Sequence, residues 1–329
     1  MGEHLTFVVP TLGGHQRILI ICKWLQWQRF SGRLIIVASD DINPATYFIE
    51  FDFVTCVHAP KTNVLQAMAI GFQRVTTSYC SYLGDDDLPN IKSFQKCCQF
   101  LEGNLTFGAA RGACGFVEFQ PLQRVFVSKK KPSLAFYTKT LLSDRYDAPS
   151  DLSHRQAQSR VNSLYSNYIV AQFFVTRTET AKNLWSEAWA KIPDPYLAER
   201  VWSLSHAALV RTKFISCHYL LRGLGVHRPA QKKFGEEKRS NDSWKLFVPE
   251  VEEAFSHLNL DAATTQLLVE LATNPLGRNK ATRNQKSSER WARFKRLPRR
   301  FLFIIKFQLF FSIKFLWWLW LIDMMPEKK

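Results

Sequence analysis

The amino-terminal part of the chain alternates between short runs that are apolar throughout and longer stretches with apolar positions at helical spacing. Leu5–Pro10 is a β-branched and aromatic run, broken by Pro10 and then by Gly13-Gly14. Residues 15–30 place Ile18, Ile21, Cys22 and Leu25 on one side of a helix that Ser31-Gly32 ends. Leu34–Ala38 predicts a second strand ending at Asp40-Asp41, and Phe53–His58 a third that closes at Pro60. Asn63–Val75 repeats the helical pattern through Leu65, Met68, Ala69 and Phe72. A fourth run, from Tyr79 to Leu83, stops at Gly84 and three consecutive carboxylates, Asp85, Asp86 and Asp87. Apolar strands separated by helices predict an α/β fold, with a mostly parallel sheet flanked by helices on both faces.

The regularity loosens after Leu101. Phe107–Phe119 predicts one long strand or a hairpin pair, and residues 128–160 are polar. Ser163–Thr176 predicts a strand, Glu179–Lys191 a Trp-bearing helix, Tyr196–Val210 a stronger helix, and Phe214–Leu221 the last strand. Trp244–Ala272 has the pattern of one or two amphipathic helices. These breaks divide the chain into a body at 1–230, a helical extension at 231–273, a basic linker at 274–300 and a hydrophobic tail at 301–329.

In the tail, Phe301–Ile322 carries only Lys306, Gln308, Ser312 and Lys314 as polar members. The stretch is long enough to span a bilayer. A lysine at mid-membrane costs about 2.5–3.5 kcal/mol, whereas each Leu, Ile or Phe returns about 0.3–0.6 kcal/mol. Lys314 near the centre suits a helix lying in the interface with its lysines snorkelling, so both spanning and lying flat stay open. Trp317, Trp318 and Trp320 suit the interfacial belt. Burial against a second copy of the chain is the third option.

Composition then narrows the partners. Hydrophobic residues make up 46% of the 329 and aromatics 14%, which excludes a disordered chain. The net charge is +16, and Asn274 to Arg300 alone holds ten Lys and Arg against one Glu. A charge run beside a hydrophobic segment points to anionic lipid rather than to nucleic acid, which spreads basic residues over a folded face. The seven cysteines include no C-x-x-C pair, so buried free thiols are expected rather than a disulfide framework or a zinc site. Met1-Gly2-Glu3-His4 is too short and polar for a leader, so the body is expected at the cytoplasmic side of the cell membrane.

Three adjacent carboxylates repel one another unless a cation or a helix start uses them. Leu88-Pro89-Asn90 follows, so a solvated turn capping the next helix is one reading. A hard divalent cation is the other, because it binds through one or two carboxylates plus substrate phosphates. In open α/β sheets ligands bind at the carboxyl ends of the strands, where these residues fall.

The order of these elements resembles the GT-A nucleotide-sugar glycosyltransferases, in particular family-two-like bacterial enzymes with a short Asp-Asp-Asp (DxD) motif. The resemblance runs over residues 5–225 and is carried by Val9-Pro10-Thr11, Asp40-Asp41, the helix from Asn63 and Asp85–Asp87. It implies a GT-A (Rossmann-like) fold and transfer of a sugar from a nucleotide-sugar, with a UDP-sugar as the expected donor. It further implies Mg²⁺ or Mn²⁺ at Asp85 and Asp87, with Asp86 toward the donor sugar. Pro10, Thr11 and Leu12 would contact the base, Asp40 or Asp41 the base or ribose, and Arg222 the diphosphate. The family's catalytic base maps onto Glu199 in Tyr196-Leu197-Ala198-Glu199-Arg200, with Glu118, Asp194 and Asp147 in reserve. His218 and His227 are expected to be structural, since no second ligand lies at metal spacing.

The first loop departs from the pattern. Leu12-Gly13-Gly14-His15-Gln16-Arg17 replaces an aromatic residue and an Asn-Arg pair, and Arg17 either substitutes for that arginine or lies on an exposed helix. No Gln-x-x-Arg-Trp sequence is present, so a non-processive transferase is expected, with a glycan or lipid-linked acceptor at the membrane, and the family resemblance implies inversion. Two other readings remain at this point. A sugar-nucleotide pyrophosphorylase would use a related sheet, and a membrane-tethered basic binder of acidic polymer would explain the tail alone.

Overall fold

In a computed structural model, residues 4–121, 136–139, 151–185, 191–192, 194–223 and 243–273 are described. The chain divides into two compact units, Met1–Val117 with Leu141–Pro275, and Glu118–Thr140 with Leu276–Lys329. The first unit begins with β1 (Leu5–Thr11), α1 (His15–Trp27), β2 (Arg33–Ala38), β3 (Val54–His58), α2 (Val64–Gln73) and β4 (Tyr79–Tyr82). Next come β5 (Leu88–Pro89), α3 (Ile91–Gly103) and β6 (Ala109–Pro121).

After β7 (Phe136–Lys139), which belongs to the second unit, the first resumes with α4 (Ala157–Ser166), β8 (Val175–Arg177), α5 (Thr178–Leu184), α6 (Pro195–Leu209) and β9 (Thr212–Gly223). Helices Val248–Ser256 and Ala262–Thr273 close its described part.

The strand order is β3-β2-β1-β4-β8-β6-β9-β5. Neighbours β3, β2, β1 and β4 run parallel, as do β6 and β9. The short β8 is antiparallel to both β4 and β6, and β5 is antiparallel to β9. The mostly parallel, helix-flanked sheet expected from the apolar runs is therefore present. Every residue of β1 is buried, as a strand covered on both faces requires. Ile18, Ile21, Cys22 and Leu25 form the buried side of α1. A reciprocal capping box starts α2, with Asn63 and Gln66 each accepting the other's backbone N–H at 2.9 Å.

Two expectations are corrected. The strand foreseen over Ser163–Thr176 is the end of α4 followed by a three-residue strand, and α4 also takes the end of the stretch read as polar loop. Polar α4 has little helical drive of its own. It is held because Val161 and Leu164 are buried and Arg160 donates to the Ala207 and Ala208 carbonyls. Those carbonyls lie at the end of α6, where a cation is favourable. The Trp-bearing helix ends earlier than expected, at Leu184. Trp185 lies just beyond it and stacks on Phe72 and Trp202, with centroids 5.2 and 4.9 Å apart.

The described part of the second unit is an antiparallel ladder that pairs Glu118–Pro121 with Phe136–Lys139. Among the described residues no helix is long and apolar enough to cross a membrane, and the tail from Phe301 lies outside them.

The core carries a titratable group. His206 on α6 is fully buried between Trp202 and Phe174, each with its centroid 5.3 Å away. Burial, then the Arg160 charge, pushes its pKa down to about 3. Above pH 6.5 the imidazole is neutral whether folded or unfolded, so it leaves stability unchanged. Below that pH the unfolded chain takes up a proton that the folded chain refuses. Stability is then lost at up to about 1.4 kcal/mol per pH unit. Urea unfolding of His206→Phe between pH 6.5 and 4 is expected to show a shallower fall than the parent by that slope. Parallel slopes would refute the burial argument.

Candidate functional site

The chain leaves β1 toward β2 on one side and later places β4 on the other, so a crevice opens at the carboxyl ends of β1 and β4. The turn after β1 is built for close approach. Gly13 adopts φ +70°, and its N–H donates to Asp40 Oδ2 at 2.6 Å. A Cβ on Gly14 would collide with the Asp85 carboxylate and the Arg17 guanidinium, so only glycine lets those groups meet. Gly14 N–H donates to Thr11 Oγ1 at 3.0 Å, and the Thr11 hydroxyl donates to Asp85 Oδ2 at 3.2 Å. Arg17 Nη2 donates to the same oxygen at 2.6 Å.

Asp40 organises the neighbouring loop. Its Oδ1 accepts the Ile42 N–H at 3.0 Å, and His15 Nε2 lies 3.2 Å from Oδ2. Burial opposes its charge, but the Gly13 and Ile42 N–H groups and then His15 hold its carboxyl below the ordinary range. The His15 ring stacks on Tyr47, with centroids 5.0 Å apart and planes within 10°. Pro10 and Thr11 are buried in the strand end, while Leu12 is 73% exposed.

The acidic loop is fastened through its last member. Asp87 is 2% exposed, and its two oxygens accept the N–H groups of Gly84 at 2.9 Å and Gly223 at 3.0 Å. Burial, and next the charge of Asp86, pushes the Asp87 carboxyl up to about 7, against the pull of Arg222. Leu88 and Pro89 pair with Leu221 and Leu220, and the Asn90 N–H donates to the Tyr219 carbonyl at 2.7 Å. β9 is thereby held beside the acidic loop. The Arg222 guanidinium lies 4.0 Å from the centroid of Phe173. Burial works against its charge, but Asp87, Cys114, Glu199 and Tyr82 together raise its pKa.

Glu199 is thus within electrostatic reach of Arg222, although 23 positions separate them in the chain. Glu199 is half-buried and accepts a hydrogen bond from the Tyr168 hydroxyl at 3.2 Å. Burial, then the Glu199 charge, raises the pKa of Tyr168, so it remains a donor. Arg200 is turned away, donating to the Leu271 carbonyl and lying over Tyr165 and Trp244.

The reserve carboxylates have other placements. Asp194 caps α6 by accepting the Tyr196 and Leu197 N–H groups, and it accepts from Trp244 Nε1 at 3.0 Å. Glu118 pairs with Lys139 in the ladder of the second unit. Asp147 and His227 lie outside the described residues. His218 is buried, which pushes its pKa down to about 4.

Among the described residues no group of three or more His, Cys, Asp and Glu forms a ready cage for a metal ion. The carboxylate oxygens of the loop are nevertheless the donor chemistry that Mg²⁺ or Mn²⁺ takes when substrate phosphates complete its shell. A separate cavity of about 650 Å³ lies at the opposite end of the sheet, lined in part by His4, Phe30, Asp52 and Thr77. It shares no residue with this loop constellation.

No family model and no curated protein matches this chain. Among solved structures it is similar to S. aureus TarS 1-349 in complex with UDP-GlcNAc, with a TM-score of 0.50 and 10% identity. That match covers 80% of this chain and 70% of the other. TarS 1-349 in complex with UDP gives 0.49 and 11%, covering 80% of this chain and 69% of that one. The likeness is one of fold. This chain shares the fold of TarS 1-349.

The structure brings Thr11, Asp40 and the three aspartates to one end of the sheet, and places Glu199 within reach of Arg222. Arg17, left open between two roles in the sequence, meets Asp85. Sequence reasoning missed Tyr168, Phe173, Gly223 and the His15–Tyr47 stack. Only Gly223 had a visible signal, as the glycine that follows Arg222.

Proposed function

We propose that this protein is a glycosyltransferase that takes its sugar from a UDP-sugar. The observation that carries the reading is the loop constellation of Thr11, Arg17, Asp85 and Asp87 with Arg222, at the carboxyl ends of β1 and β4. The neighbouring fold in TarS crystallises with UDP-GlcNAc and with UDP, which supports a uridine donor. Asp85 would hold Mg²⁺ or Mn²⁺, and Asp87 would lie behind it, fixing the loop. When bound, the cation supplies Lewis-acid neutralisation of the diphosphate.

The chain's own residues would do the rest. Thr11 and Asp40 shape the base and ribose end of the crevice, with Pro10 and Leu12 flanking them. Asp86 faces the donor sugar. Arg17 and Arg222 lie on either side of the acidic loop, where guanidinium groups match phosphate oxygens. Glu199 removes the proton from the acceptor hydroxyl as its oxygen attacks the anomeric carbon, and the bond to UDP breaks with inversion. Tyr168 holds the Glu199 carboxylate through its 3.2 Å hydrogen bond.

Calorimetric titration with UDP, with and without Mn²⁺, tests the donor site. Binding is expected with Mn²⁺, and Asp85→Ala is expected to weaken it at least tenfold. Absence of UDP heats under both conditions would remove the reading, and a preference for GDP or CMP would reassign the base.

A glycan or lipid-linked acceptor at the cytoplasmic membrane face follows from the basic run before Arg300 and the apolar tail. Deletion of residues 290–329 is expected to move the protein from the membrane fraction to the supernatant. Sedimentation unchanged by the deletion would sink the anchoring role.

A further inference from the structure

The cavity at the far end of the sheet forms where four parallel neighbours begin. β3, β2, β1 and β4 run side by side in one direction, so the residues that lead into them gather along one edge. Phe53 precedes β3, Arg33 opens β2, His4 precedes β1 and Ser78 precedes β4, and all four line the same cavity of about 650 Å³. That volume is within the range of about 300–1,000 Å³ usual for small-molecule sites.

Its walls are fixed by the fold. The His4 carbonyl accepts the Tyr79 N–H at 2.8 Å, and the Phe53 carbonyl accepts the Leu34 N–H at 2.9 Å. Thr77 Oγ1 lies 2.7 Å from Thr6 Oγ1 and donates to the Tyr79 carbonyl at 2.9 Å. The Thr178 hydroxyl donates to the Thr77 carbonyl at 2.6 Å. Gly32 lets two walls meet, since a Cβ there would stand 2.3 Å from the Leu5 carbonyl oxygen and 2.5 Å from the Phe30 ring. Phe30 in turn packs edge-on to Phe53, with centroids 5.9 Å apart. The side chains of Ser31, Arg33, Asp52, Thr76 and Ser78 are exposed in the lining.

The chemistry of that lining selects among ligand classes. A cation would meet Arg33, and an anion would meet Asp52. An anion would also find the wrong helix ends, because Ser31 follows α1 and Thr76 follows α2, so both helices turn carboxyl termini toward this edge. Neither helix has a basic residue in its last turn to offset that polarity. An apolar molecule would strip water from hydroxyls, a carboxylate and a guanidinium and return no hydrogen bonds. A neutral polyol satisfies both charges, because each of its hydroxyls can donate to Asp52 or accept from Arg33. Phe30 and Phe53 supply apolar contact for the C–H groups of its ring.

We propose that this cavity is a second carbohydrate site, which binds a neutral mono- or disaccharide unit without reacting with it. Asp52 accepts from the sugar hydroxyls, Arg33 donates to them, and Ser31, Thr76 and Ser78 do either around the ring. Binding here does not depend on the transferase reading, since no residue of the acidic loop takes part. Its use, retaining a glycan at a distance from the reacting end, rests on that reading.

Saturation-transfer difference NMR of the full chain, in buffer free of glycerol and sugar detergents, is run with glucose, N-acetylglucosamine, maltose and cellobiose. Inorganic phosphate is titrated separately by ³¹P line broadening. At least one saccharide is expected to give a signal that persists in Asp85→Ala. Its affinity is expected to fall about tenfold in Asp52→Ala and in Arg33→Ala, the loss of a hydrogen bond to a charged group. Hydrogen exchange of the parent chain needs no variant: saturating saccharide is expected to slow exchange at residues 30–33 and 76–78 but not at 84–88. Silence from all four saccharides overturns the proposal. So does an affinity unmoved by both substitutions, protection confined to 84–88, or binding of phosphate in place of sugar. A parent chain that binds saccharide but no UDP would sink the donor reading and leave this site standing.

Discussion

Asp87→Asn is expected to destabilise the folded chain by about 1–3 kcal/mol, the cost of leaving a buried hydrogen-bonding group unsatisfied. Each Asp87 oxygen accepts a loop N–H, from Gly84 and from Gly223. An asparagine supplies one acceptor and one donor, so one of those N–H groups would face another N–H across a buried contact. Arg222 also loses the carboxylate that contributes most to sustaining its charge. Both effects act on the same turn, and neither can be relieved by water at a side chain that is 2% exposed. Chemical denaturation at neutral pH checks the figure. Asp85→Asn offers the contrast, because the Asp85 partner Arg17 is about half exposed and its ion pair is screened. A loss at Asp87 no larger than at Asp85 would mean that the acidic loop is not anchored through its last residue.

Glu199→Gln is expected to lower turnover, read as UDP release from a UDP-sugar, by about 10²–10⁴-fold, the range for a positioned general base. UDP affinity should stay within a few-fold of the parent, since Glu199 is assigned to the acceptor side of the reaction. Glutamine preserves the shape and can still accept from Tyr168, so lost packing does not explain such a fall. Asp194→Ala separates this role from a structural one. Asp194 caps α6, and its removal is expected to cost about 1 kcal/mol of stability. Turnover that survives Glu199→Gln but collapses in Asp194→Ala with the fold intact would transfer the base to the cap residue.

Much of the first half of the fold was legible because burial imposes local periodicity. Ile18, Ile21, Cys22 and Leu25 declared a helix face without reference to anything distant, and each is buried. The capping pair Asn63 and Gln66 is likewise local. The end of α4 was misread as a strand for the opposite reason. Its stability comes from Arg160 reaching the carbonyls of α6, a contact spanning 47 positions that leaves no trace in the pattern around it.

The acidic run shows the same division. Its composition and its place at a strand end could be read directly, and with them the reading as a ligand-binding site at the sheet's carboxyl edge. The three aspartates are equivalent in the sequence. Tertiary structure separates them, because Gly223 lies 136 positions beyond Asp87 and donates to it, whereas Arg17 and Thr11 come from the first loop to Asp85. Glu199 likewise acquires its neighbours, Tyr168 and Arg222, only when α4, α6 and β9 are assembled. The sequence by itself determined which segments are apolar, how they repeat and where carboxylates interrupt them. Which carboxylate faces a ligand and which secures the loop was decided by strand register across distant segments, since a side chain's electrostatics depend on its neighbours in space.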